Sequence, residues 1–139
     1  MTTTMTTPDY LATATVNDVI AAVKFAAENS ADLLRPSFRR QVEAGAHPLT
    51  GHCYVACEVL ADLLGADYTP HTLRHNGGVH WYLEGVTDGV MDVTAAQFDA
   101  APDYTAGRGR GFLTSALSRR AVALRGRVML RLSWIASMR

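Results

Sequence analysis

Three residues of this sequence have the types and the order that thiol chemistry needs. They are Cys53, in the stretch Gly51-His52-Cys53-Tyr54-Val55-Ala56-Cys57, then His80, then Asp92. Their contexts predict Cys53 in the first turn of a helix, His80 on a strand and Asp92 on the next strand. A helix N-terminus lowers a thiol pKa, an imidazole takes or shares the thiol proton, and a carboxylate fixes the imidazole tautomer. Together they describe an activated nucleophile.

Each member also has a plainer reading. Most intracellular cysteines are small buried apolar groups. A lone strand histidine is more often structural, and Asp92 can cap the turn at Thr94 to Gln97. Position separates the two cysteines. Gly51 and His52 let the backbone turn tightly before Cys53, and amides there can form part of an oxyanion hole. Cys57, one turn further in, is expected to be buried. Asp92 lies between Met91 and Val93; a carboxylate among apolar neighbours needs a partner, and His80 supplies one.

His52, Gly51 and Trp81 are the expected oxyanion or substrate-binding residues, although His52 and His47 could equally be loop residues. Trp81, Tyr82, Phe98 and Tyr104 read as core or pocket wall. Zinc has enough donors in His47, His52, Cys53, Cys57 and His80, but their spacing matches neither CxxC nor HExxH, and both cysteines share one helix. Neither metal nor cofactor is expected. Gly107-Arg108-Gly109-Arg110-Gly111 lacks a preceding strand and a Walker lysine, so it is at best a weak anion-binding candidate.

The elements that must position these residues follow from periodicity and punctuation. Thr15 to Asp18 has the capping-box pattern and opens a helix to about Asn29, with Val16, Ile20, Val23 and Ala27 on one face. A short helix is predicted over 37–44, and another over 53–64, stopped by Gly65. Strands are predicted over 68–74, 79–84 and 90–94, with turns at 75–78 and 85–89. A second hairpin centred near Val86 places His80 opposite Asp92 on one face, with Cβ atoms about 5 Å apart. A slip of one residue would spoil that. A last helix is expected from Thr114 or Ser115 to Trp134, with Leu117, Ala121, Leu124, Val128 and Leu132 inward. The fold class is α+β, helices flanking a small antiparallel sheet.

A length of 139 residues suits one domain, and 48% apolar with 19% charged residues reads as globular. Residues 1–10 are expected to be a disordered leader and 11–139 a single domain. The leader has no signal-peptide pattern and no run is long enough to span a bilayer. A cytoplasmic location with reduced thiols is therefore expected. All 13 acids lie between Asp9 and Asp103, whereas eight of the 13 basic residues follow Asp103. Such asymmetry can mark a surface for nucleic acid or another acidic partner, with Arg119, Arg120 and Arg127 as its candidates. The alternative, rated higher, is that the basic tail packs on the acidic body.

Three separated segments carry a family resemblance: Pro48-Leu49-Thr50-Gly51-His52-Cys53, His80-Trp81-Tyr82, and Asp92-Val93-Thr94-Ala95-Ala96-Gln97-Phe98 followed by Tyr104. In this order they resemble the YunG family of small bacterial and phage proteins, from Pro48 to the C-terminal helix. His52 departs from the glutamine usual there. The resemblance implies shared architecture rather than a reaction. The order Cys, His, Asp is also similar to that of papain-like and transglutaminase-like cysteine enzymes. The expected function is a cysteine-dependent hydrolase or acyltransferase acting on an amide or ester bond of a peptide, protein or small molecule. The alternative is a non-catalytic binding protein that uses its Arg-rich C-terminal helix.

Overall fold

The two longest helices begin where the sequence supplies side-chain caps. In the computed structural model, which describes residues 9–139, a single turn α1 (Asp9–Ala12) leads into α2 (Val16–Glu28). The Thr15 hydroxyl accepts the Asp18 N–H at 3.0 Å and the Asp18 carboxylate accepts the Thr15 N–H at 2.9 Å, the expected capping box. Residues 1–8 of the expected leader lie outside the described residues. Pro36 opens α3 (Pro36–Glu43) at a position where a missing N–H costs nothing. The helix α4 (Cys53–Leu64) has the predicted bounds.

Asn76 and Gly77 both take positive φ, +50° and +79°, the turn that matches the twist of a two-residue hairpin. It joins β1 (Tyr68–His75) to β2 (Gly78–Gly85), paired from Tyr68↔Gly85 to His75↔Gly78. The third strand, β3 (Gly89–Met91), is shorter than the expected 90–94. A two-residue strand β4 (Arg108–Gly109) pairs with β1 inside the Gly/Arg-rich stretch Gly107 to Gly111. The antiparallel sheet has the order β3-β2-β1-β4. The fold is α+β, as the sequence predicts.

The last helix, α5 (Arg119–Ser137), starts four or five residues later than expected. Its N-cap is Ser118, whose hydroxyl accepts the Ala121 N–H, while the preceding Leu117 is only partly buried. Ala121, Leu124, Val128 and Leu132 form the buried stripe of α5 and pack with α2 and α4. From α2 the core takes Val19, Ala22, Val23, Ala26 and Ala27, whereas Val16 is exposed and Ile20 only partly buried. Val55, Ala56, Val59 and Leu60 of α4 meet Trp81 and Leu83 of β2.

The basic C-terminal segment does fold back on acidic residues. Arg125 pairs with Asp62 at 2.8 Å, Arg127 with Asp32 at 2.7 Å, and Arg139 with Asp18 at 2.5 Å. Among the described residues no helix is long and apolar enough to cross a membrane.

Candidate functional site

Alternation along β2 divides its side chains between two faces. Trp81 and Leu83 enter the core under α4, while His80 and Tyr82 lie on the other face, in ring contact with Phe98 and Tyr104. The hairpin ladder runs Leu83↔Met91, Glu84↔Val90, Gly85↔Gly89, so it centres on Thr87 rather than Val86. His80 and Asp92 are therefore not directly opposite, and Asp92 follows β3 instead of lying on a strand. The displacement preserves parity, so both side chains still point to one face. His80 Nε2 lies 2.7 Å from Asp92 Oδ2, and both side chains are almost wholly buried, at 2% and 4% exposure.

A carboxylate only accepts, so Nε2 carries the hydrogen of this bond and Nδ1 is the nitrogen left free. Nδ1 is buried and makes no hydrogen bond. Burial pushes the imidazole toward its neutral form, but the Asp92 bond and the nearby Cys53 sulfur outweigh it and raise the pKa from 6.5 to about 9. The Tyr104 hydroxyl donates to the same Asp92 Oδ2 at 2.7 Å. Burial and this carboxylate both raise the Tyr104 pKa, so the phenol keeps its proton and serves as a donor.

Cys53 is the first residue of α4 and is half-buried, whereas Cys57 is enclosed. Burial, then the neighbouring Cys53, pushes the Cys57 thiol up, which keeps it inert. Gly51 has φ +83°, and a Cβ there would stand 2.5 Å from Phe38 Cγ. Only glycine allows this turn and this close approach of α3 to the start of α4. A cleft of about 470 Å³ opens at this point, with Gly51, Cys53, Tyr54, Trp81 and Phe38 in its wall and Arg35, Arg119 and Arg120 at its lining.

The structure thus brings Cys53, His80 and Asp92 together, with Gly51 and Trp81 beside the thiol. His52 is placed differently. It is buried, it does not line the cleft, and its Nε2 lacks a hydrogen-bond partner. Burial and the charge of Arg120 lower its pKa to about 4, so it is neutral. Arg127 is occupied by Asp32 and the Ser30 hydroxyl, apart from the cleft that takes Arg119 and Arg120. Among the described residues no group of three or more His, Cys, Asp or Glu side chains is arranged to hold a metal ion.

Sequence reasoning left Tyr104 as a wall residue, although its place after Phe98 in the third segment was the available signal. Arg35 and Phe38 gave no signal, because only the packing of α3 brings them to Cys53. Glu58 was also missed. It is buried, and its carboxylate accepts the Ser118 N–H at 3.0 Å and the Ser118 hydroxyl at 2.7 Å, tying α4 to the start of α5.

No curated protein and no solved structure matches this chain. The family described as "YunG protein" matches residues 28–133, well over half of the 139 residues, and the matched span contains Cys53, His80, Asp92 and Tyr104. The chain belongs to the YunG family.

Proposed function

We propose that this protein is a cysteine-dependent hydrolase or acyltransferase of amide or ester bonds, with a papain-like or transglutaminase-like use of Cys53, His80 and Asp92. One observation carries the reading: His80 is fixed by Asp92 through Nε2 while its buried Nδ1 remains free beside a half-buried thiol in a cleft. Buried His52 also leaves a ring nitrogen unpartnered but lies outside the cleft, so it is the Asp92 bond together with the neighbouring thiol that sets His80 apart.

In this reading His80, as the imidazolium that its raised pKa favours, already holds the proton taken from Cys53 on Nδ1 when Sγ bonds to a substrate carbonyl carbon. Amides at the start of α4 face the developing oxyanion. His80 then returns its proton to the departing nitrogen or oxygen as that bond breaks. Water, or an amine in acyl transfer, attacks the thioester, gives a proton to His80 and releases Cys53. Asp92 keeps the ring tautomer and stabilises the imidazolium, and Tyr104 orients Asp92. The free thiol this requires suits a reducing compartment such as the cytoplasm.

The alternative, a non-catalytic protein binding nucleic acid through α5, has less support. Arg125 and Arg127 are paired with acids of the same chain, and Arg119 and Arg120 turn to the cleft. A direct test is acylation by p-nitrophenyl acetate followed by intact-mass and peptide analysis. One acetyl group on Cys53, lost in Cys53→Ala and in His80→Ala, is expected. Acetylation independent of both residues would sink the proposal.

A further inference from the structure

The arginines of α5 are not treated alike by the fold. Arg125 and Arg127 have carboxylate partners, and Arg131 stacks on Phe25 and Trp134 at 3.7 and 3.9 Å. Arg119 and Arg120 make no ion pair among the described residues and line the Cys53 cleft together with Arg35, likewise unpaired. They also occupy the first turn of α5, which has no acidic residue, so both cations oppose the helix dipole. Burial, then the like charge of Arg35, lowers the Arg120 pKa, a further sign of unrelieved positive charge. Glu58 acts on Arg120, but both its oxygens are committed to Ser118. Phe38, Tyr54 and Trp81 make the rest of the wall largely apolar.

An arrangement that is locally unfavourable in the free protein, and that one anion would relieve, marks a binding function. We infer that the cleft selects acyl substrates bearing a carboxylate, which Arg35, Arg119 and Arg120 hold while an apolar portion lies on Phe38, Tyr54 and Trp81. The guanidinium fork matches a carboxylate. The apolar wall favours a singly charged group over a polyphosphate. This inference rests on Cys53 being the nucleophile proposed above.

The test compares alkylation of Cys53 by iodoacetate and by iodoacetamide in the full chain, using peptide mass spectrometry and free cysteine as reference. Charge focusing in a cleft raises the local concentration of a counter-ion by about tenfold or more. The iodoacetate-to-iodoacetamide rate ratio is therefore expected to exceed the reference by at least about that factor. It should fall in Arg119→Gln and further in Arg119→Gln/Arg120→Gln. It should also fall at about 0.5 M salt, where screening reaches only a few ångströms. Arg131→Gln removes the same charge outside the cleft and should leave the ratio high. A ratio equal to the reference, with fast iodoacetamide alkylation, overturns the carboxylate inference and leaves the nucleophile standing. Slow alkylation by both reagents overturns both. Phenylacetate should protect Cys53 at lower concentration than inorganic phosphate, and the reverse order would overturn the choice of carboxylate.

Discussion

Replacing Asp92 with Asn removes the charge that holds His80 while keeping the shape of the side chain. The consequence can be worked through proton linkage. A folded-state pKa of about 9 against 6.5 in the unfolded chain means that the folded protein holds the His80 proton more tightly. The resulting stabilisation is fully present below pH 6.5 and is lost as pH rises through 9. It amounts to about 3 kcal/mol at about pH 6 and about 1 kcal/mol at about pH 8.5, so the wild type loses about 2 kcal/mol from this group across that interval. Asp92→Asn removes the charge that raises the pKa and reduces the charge-assisted hydrogen bond to one accepted by a neutral amide oxygen, leaving burial and Cys53. The variant should lose about 1–3 kcal/mol at about pH 6 and show a much flatter pH dependence. In Asp92→Ala/Cys53→Ala only burial remains of these contributions, the pKa drops below 6.5, and stability should instead rise with pH in that range. Urea unfolding at the two pH values measures all three slopes. Equal slopes in wild type and Asp92→Asn would refute the assignment of the His80 shift to Asp92.

Other expectations follow from single contacts. Gly51→Ala meets both a positive φ of +83° and Phe38 at 2.5 Å, and should destabilise by about 2 kcal/mol or more in thermal unfolding. Glu58→Gln leaves Ser118 with one acceptor oxygen in place of two, and the buried site should lose about 1–3 kcal/mol by urea titration. Arg127→Gln breaks an exposed pair with Asp32 and should cost at most about 1 kcal/mol, less in high salt. Cys57→Ser buries a hydroxyl where the thiol is enclosed and should cost about 1–3 kcal/mol, while Cys53 remains the residue alkylated in the native protein.

The parts of the fold that were legible are those with local causes. The helix at 53–64 and the turn at Asn76-Gly77 follow from glycine positions that carry their own backbone geometry. The His80–Asp92 pairing survived an incorrect register because a strand repeats every two residues, and the true ladder differs by an even step. Strand β4 was not legible: two residues, one of them glycine, show no alternation, and pairing with β1 alone defines them. The start of α5 was misplaced because Leu113 to Leu117 reads as apolar helix, whereas the long-range bonds of Glu58 to Ser118 set the cap. Arg35 and Phe38 belong to the cleft only through the docking of α3, which no local pattern announces.

The central claim is that His80 activates Cys53, and the rate of Cys53 alkylation by iodoacetamide near neutral pH measures it most directly. The account predicts that native Cys53, with His80 beside it, reacts about tenfold faster than free cysteine. It also predicts that His80→Ala removes this excess. Alkylation no faster than free cysteine, and unchanged in a folded His80→Ala variant, would contradict it.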